Sequence, residues 1–214
     1  MTSAFEKLPD EKKQRILAIC IEEFAKNGYE NTSTNRIIQR AGISKGLLFH
    51  YFKNKKGLFL YLVQHSIELI ADKVYKKLQT FDQTDFFERI RQVSVIKMNV
   101  CLIYPNEYQI LMKAILDTPK ELQIEIEEIN RSYYAKVQDA NETYLFSYLK
   151  EEDLRPGLTK QFVIDYIMNV IDQLNRNMLQ AYKGIEKELL VDPDPFLDQL
   201  NQYFDVIQYG VYRK

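Results

Sequence analysis

The sequence predicts an all-α fold of about nine helices, and three observations carry the expectation. Apolar residues recur at three- and four-residue spacing in successive segments, and no stretch sustains the period-two alternation of a half-buried strand. No proline occurs between Pro9 and Pro105, which leaves room for an unbroken succession of helices. Glycine and proline are sparse, 7 and 6 of 214 residues, and fall where the periodic segments should end.

The elements follow in order. Ile16, Leu17, Cys20, Ile21 and Phe24 share one face of a helix expected from about Asp10 to Asn27. Asp10 and Glu11 suit the positive end of its dipole, and Gly28 suits the position just past its end. The Thr32-Ser33-Thr34 cluster can cap a short helix that carries Ile37, Ile38 and Ala41 and stops at Gly42. Ser44 caps the next, bearing Leu47, Leu48, Tyr51 and Phe52, and Lys53-Asn54-Lys55 reads as a turn. A long helix is expected from Lys56 to about Leu78, and Asp82 or Thr84 should cap another that ends near Leu102. Pro105 and Pro119 each open a helix, the second reaching about Leu149. Arg155-Pro156-Gly157 breaks the chain. Two last helices are expected at about Thr159–Lys183 and Pro195–Tyr209, separated by Gly184 and the Asp192-Pro193-Asp194-Pro195 turn.

The chain is nearly neutral, with 29 Lys and Arg against 30 Asp and Glu, but the charge is unevenly spread. Residues 1–60 carry a net charge of +5 and residues 61–214 a net charge of −6. Asn31–Leu60 holds six basic residues and no acidic one, which points to a polyanionic partner for the head. The longest uncharged run, Gly57–Ile67, falls well short of the roughly 20 residues that span a bilayer. Met1–Glu11 lacks the basic-then-apolar pattern of a secretion signal. Cys20 and Cys101 lie far apart with no CxxC and no neighbouring His, so no metal, cofactor or disulfide framework is expected. Both read as small buried hydrophobes in a reducing cytoplasm.

Thr32–Leu60 has the make-up of a helix-turn-helix. Ile37, Ile38, Ala41, Ile43, Leu48 and Phe52 form its expected core, and the first turn of the second helix points outwards with Ser44, Lys45, Gly46 and Leu47. The major groove of B-DNA admits such a helix, whose amino-terminal residues reach base edges. Glycine costs about 1 kcal/mol relative to alanine in a helix, so Gly46 fits a place where a backbone or phosphate approaches closely.

The helix Ile16–Phe24 with Gly28, the Thr32-Ser33 cap, Ala41-Gly42-Ile43-Ser44-Lys45-Gly46 and Phe49-His50-Tyr51-Phe52-Lys53-Asn54-Lys55 together resemble the DNA-binding domain of the TetR (tetracycline repressor) family of bacterial transcription regulators. The resemblance covers about residues 10–60. Two positions depart from the family pattern: Leu47, where Thr is frequent, and Phe49, where Tyr is common. The resemblance implies a helix-turn-helix DNA-binding domain over residues 1–55 and an effector-binding and dimerisation domain over residues 56–214. It implies phosphate contacts at Thr32, Ser33 or Thr34, Tyr51 and Lys55. Lys45, Gly46, Leu47 and His50, beside the Ser44 cap, would face the groove, with Lys45 the candidate for a guanine edge. Arg36 and Arg40, four apart, would reach the DNA backbone beside it.

Residues 61–214 hold 13 of the 15 Tyr and 7 of the 12 Phe, the composition of helices that can enclose an apolar cavity. The resemblance implies an effector pocket here. Met98, Cys101, Tyr104, Tyr108 and Met112 are candidates to line it, with Tyr133, Phe162, Tyr166 and Asn169. Asp165, Asn169, Asp172 and Arg176 form a polar stripe, either a solvent-facing seam or a carboxylate turned to a cationic ligand. Ile164, Ile167, Ile171, Leu174 and Met178, with Phe196, Leu200, Tyr203, Phe204 and Ile207, would pack a homodimer through the last two helices. The expected protein is a cytoplasmic regulator without enzymatic activity: a homodimeric repressor that a small-molecule effector releases from its double-stranded operator. The alternatives are a helical binding or interaction protein that does not touch DNA, and an activator of the same family. Only His50 and His65 offer an imidazole base, and no phosphate-binding loop, dinucleotide fingerprint or nucleophile elbow is present.

Overall fold

A computed structural model describes all residues except 1–2, 81, 83–84, 117, 182–193 and 210–214, and those described form helices without any strand. In chain order they are α1 (Ser3–Glu6), α2 (Asp10–Asn31), α3 (Thr34–Ala41), α4 (Lys45–Phe52), α5 (Lys55–Leu78), α6 (Phe86–Ile103), α7 (Pro105–Leu116), α8 (Gln123–Tyr144), α9 (Lys160–Ala181) and α10 (Asp194–Tyr209). Single 3-10 turns lie at Lys120–Leu122, Phe146–Tyr148 and Glu151–Asp153. The all-α expectation holds. Among the described residues no helix is long and apolar enough to cross a membrane.

The chain divides into two compact units, one of Met1–Ala71 with Tyr104–Arg131 and the other of Asp72–Ile103 with Ser132–Lys214. Helices α5 and α8 each run through a unit boundary. The first unit buries the periodic faces read from the sequence: Ile16, Cys20 and Phe24 of α2, Ile37 of α3, Leu48 of α4, Leu58, Phe59 and Leu62 of α5, and Ile110 and Met112 of α7. Burial pushes the Cys20 thiol up to about 12, which keeps it an inert hydrophobe. Helix α7 packs along α2, where Lys113 Nζ donates to the Lys26 carbonyl at 3.2 Å. The second unit has its own core of Phe86, Ile90, Leu145, Phe146, Leu149, Ile164, Ile167, Leu174, Leu200 and Phe204. Arg89 is buried in this unit; its Nε donates to the Tyr144 carbonyl and its guanidinium lies 3.8 Å from the centre of the Tyr148 ring.

Several elements depart from expectation for local reasons. Helix α1 was not expected: a polar stretch hides one apolar anchor, Phe5, whose ring packs on Tyr51, Phe52 and Tyr61 at 5.4, 4.8 and 5.6 Å. The cap of α6 is Asp85, whose Oδ1 accepts from the Glu88 amide at 2.9 Å, and not Asp82; Thr84 lies outside the described residues. Pro119 opens a 3-10 turn that runs directly into α8, and α8 ends at Tyr144 instead of near Leu149. Thr159 Oγ1 accepts from the Phe162 amide and so starts α9 as expected. The ends proposed at Lys183, Gly184 and Asp192-Pro193 lie outside the described residues.

The turn after α4 is tighter than its sequence suggests. Lys53 adopts φ 64° and ψ −55°, and the Asn54 amide donates to the Phe52 carbonyl at 2.8 Å, a strained three-residue γ-turn. Asn54 Oδ1 then accepts from the Gly57 amide at 2.7 Å and caps α5. A Cβ on Gly57 would stand 2.2 Å from the Phe52 carbonyl oxygen, which the turn holds in place. Gly57→Ala should therefore destabilise the protein by about 1–3 kcal/mol. Thermal unfolding should register a midpoint lower by several degrees.

Candidate nucleic-acid interface

Helix α3 starts where Ser33 Oγ accepts from the Arg36 amide at 3.4 Å, and it stops at Gly42, which takes φ 62°. A residue with a Cβ would be strained in that left-handed conformation. The Ile43 amide returns to the Ile38 carbonyl at 3.2 Å and turns the chain. Ser44 Oγ then accepts from the Leu47 amide at 3.1 Å and starts α4. Ile37, Ala41, Ile43, Leu48 and Phe52 are buried as expected, whereas Ile38 is half-buried and Tyr51, expected at a phosphate, is buried with them. With Leu48, Tyr51 and Phe52 inward, α4 presents Lys45, Gly46 and His50 outward, with Leu47 half-buried beside them. No atom lies within 4 Å of where a Gly46 Cβ would be, so nothing inside the chain calls for glycine there.

Other candidate contacts are occupied within the chain. Thr32 is buried, its Oγ1 2.6 Å from the Gly28 carbonyl and 3.2 Å from that of Glu23, so the hydroxyl secures the end of α2. Ser33 and Thr34 stay half-buried at the start of α3, and the Tyr51 ring is buried against Phe5. Arg36 and Arg40 lie on the exposed side of α3 but lean back to carboxylates of α2. Arg40 donates to Glu23 Oε1 at 2.8 Å and to Glu22 Oε2 at 2.6 Å, while Arg36 Nη1 lies 3.5 Å from Glu23 Oε2. Glu23 is only 4% exposed and also accepts from Asn27. The hydrogen bond from Arg40 holds the exposed Glu22 carboxyl below the ordinary glutamate value.

Behind these helices a second set of polar contacts joins α2 and α5 to the start of α8. Lys55 Nζ donates to the Glu30 carbonyl at 2.9 Å and lies 5.1 Å from the centre of the Tyr29 ring. The Tyr29 hydroxyl donates to Glu121 Oε1 at 2.7 Å. Lys56 Nζ reaches both the Glu121 carbonyl and Glu125 Oε1 at 2.7 Å.

Of the nine effector candidates, three lie in the first unit and six in the second. Met98 and Cys101 are buried on α6, and burial pushes the Cys101 thiol up to about 11. Tyr133 is half-buried on α8, and its phenol is pushed up to about 12 by burial. Tyr104, Tyr108 and Met112 belong to the first unit, the last two buried. Phe162, Tyr166 and Asn169 are exposed on α9, where the two rings stack at 6.5 Å. Asp165 and Asp172 are exposed too, so the stripe lies on the outer face of α9. Among the described residues, no group of three or more His, Cys, Asp or Glu is placed to hold a metal ion.

Residues 16–62 match the family model described as bacterial regulatory proteins, tetR family. A TetR family transcriptional regulator from Chloroflexus aurantiacus is 26% identical, with a TM-score of 0.59 over 100% of this chain and 99% of that one. The chain carries the DNA-binding domain of the TetR family. An HTH-type transcriptional regulator of Staphylococcus aureus strain MRSA252 is 28% identical over 105 residues, 49% of this chain and 54% of that protein, so the chain spans about half the length of this relative. The transcriptional regulator FadR from Bacillus subtilis, solved with stearoyl-CoA, shares the fold at 17% identity and a TM-score of 0.64, over 93% of this chain and 99% of that one.

In this TetR-type head the residues that sequence reasoning missed are those that hold it together. Phe5, Glu23 and Gly57 carry no helix-turn-helix signature. Glu23 falls seven positions after Ile16 and three after Cys20, on the apolar face of α2, and that spacing was the available signal for a buried carboxylate. Carboxyl NMR titration should find Glu22 titrating below the usual glutamate range, and Arg40→Ala should return it towards that range. The folded-state value is depressed, so the contact contributes fully above the unfolded value and is lost as pH falls through the lower one.

Proposed function

We propose that the chain is a sequence-specific DNA-binding repressor, homodimeric and cytoplasmic, which a small molecule releases from its double-stranded operator. The observation that carries the DNA-binding part is the first turn of α4: Lys45 and Gly46 exposed, capped by Ser44, and continued by His50 along the same helix. Lys45 is the base-reading residue, and Gly46 lets the helix backbone come close to the DNA. Leu47, where the family often has threonine, offers an apolar contact suited to a thymine methyl group. Ser33 and Thr34 stand at the positive end of α3, where amide groups favour a phosphate, and Lys55 adds a second phosphate contact. Arg36, more than half exposed, remains a candidate for the DNA backbone, whereas Arg40 is engaged by both Glu22 and Glu23 and adds less to the grip on phosphates.

The functional division falls after residue 55, with residues 56–214 serving effector binding and dimerisation. Support for a homodimer comes from the last two helices. Ile164, Ile167, Leu174, Leu200 and Phe204 pack within their own unit, yet Phe162, Tyr166, Tyr203, Val206 and Tyr209 remain exposed on α9 and α10. A second copy would cover them.

Gly46→Ala should unfold at an unchanged or slightly higher temperature while weakening DNA binding about tenfold or more, because added helix propensity helps the fold and the methyl group blocks approach. Lys45→Ala should cost about 1–3 kcal/mol of binding and relax the preference for one base, read by selection from a randomised duplex pool. Light scattering at micromolar concentration should report a dimer, and Tyr166→Glu combined with Val206→Glu should shift it to monomer. Small molecules that raise the thermal midpoint and release DNA test the effector part, with stearoyl-CoA as the first probe.

A further inference from the structure

Lys55 is held before any partner arrives. One of its three N–H donors is used on the Glu30 carbonyl at 2.9 Å, its charge sits 5.1 Å from the centre of the Tyr29 ring, and two donors remain for an outside acceptor. Both holding groups are uncharged, so they orient the ammonium without neutralising it. Arg40 differs, because its two carboxylate partners cancel its charge.

Tyr29 is held as well. Its ring packs on Phe59 at 5.3 Å, and its hydroxyl donates to Glu121 Oε1 at 2.7 Å. Burial and that carboxylate keep the phenol protonated well above its ordinary range, so the donor persists at physiological pH. Glu121 is anchored through its carbonyl by Lys56, which also pairs with Glu125 in the first turn of α8. Lys55, Tyr29, Glu121, Lys56 and Glu125 thus form one continuous line from the head to the start of α8. Each link is 5.1 Å or less.

We infer that Tyr29 and Glu121 are positioning residues for the phosphate contact of Lys55, so that the strength of the head's grip on DNA is set in part by the start of α8. The inference rests on the reading of Lys55 as a phosphate contact. A lysine that is already oriented loses less side-chain freedom when it takes a phosphate, and an ammonium bonded to neutral groups transfers readily to a charged acceptor. The sign follows: loosening Tyr29 weakens DNA binding instead of freeing Lys55 to bind better.

The test is a double-mutant cycle on the full chain, read as binding to a random-sequence duplex of about 30 base pairs over a series of salt concentrations. Lys55→Ala should weaken binding and reduce the magnitude of the salt slope by about 0.9, the loss of one phosphate. Tyr29→Leu should weaken binding about threefold with Lys55 present and should have no further effect in the Lys55→Ala background. Tyr29→Phe keeps the ring and cuts the tie to Glu121, so it should lose part of that factor; Glu121→Ala should match it, and the pair together should be no worse than either. Equal weakening by Tyr29→Leu in both backgrounds would mark a merely structural role and overturn the inference. Tighter binding by Tyr29→Phe would overturn it too. If Lys55→Ala changes neither affinity nor slope, the phosphate reading of Lys55 fails first and the inference falls with it.

Discussion

A carboxylate shut away from water organises the DNA-binding head. Glu23 is almost fully buried, and an unpaired charge in such a place costs several kcal/mol. Helix α3 must therefore turn Arg40, and Arg36 beside it, towards α2. That requirement sets the rotation of α3 about its axis. Ile37 and Ala41 then fall into the core, Ser33 lies at the free end, and the left-handed turn at Gly42 sends α4 outward with Lys45 and Gly46 leading. The ion pairs of α3 and the outward turn of α4 thus belong to one arrangement of the head.

The same contacts divide the positive charge of the head into two kinds. Arg36 and Arg40 are matched by acidic groups, and Lys56 by Glu125. Lys45 and Lys53 stand exposed, and Lys55 is oriented by neutral partners. A net charge of +5 over residues 1–60 therefore overstates what the surface offers to phosphates.

Much of this arrangement is legible in the sequence. The caps at Ser33 and Ser44, the stop at Gly42, the opening of α7 at Pro105 and the core faces of α2, α3 and α4 follow from periodicity and turn chemistry. Sequence and structure part where a residue type carries two meanings. Aromatic residues on α9 looked like cavity lining, yet Phe162 and Tyr166 lie outside, because the helix carries one apolar face for its own unit and leaves further rings on the other. Arg36 and Arg40 looked like backbone contacts because a basic pair spaced by four looks the same whether a phosphate or a carboxylate lies opposite. Thr32 looked like a surface cap, but its hydroxyl serves the end of α2.

Local features depend on neighbours within about four positions, and these the chain carries in plain view: helix spacing, capping hydroxyls, left-handed glycines and the change of charge sign near residue 60. Together they were enough to indicate an all-α protein with a basic helix-turn-helix head. Pairings across longer separations were another matter. Glu23 meets Arg40 seventeen positions away, Tyr29 meets Glu121 across ninety-two, and Phe5 finds Tyr61 on a helix whose own pattern says nothing of α1. Such contacts depend on how helices rotate and dock once apolar faces are buried, and chemically similar side chains leave several dockings open until packing selects one.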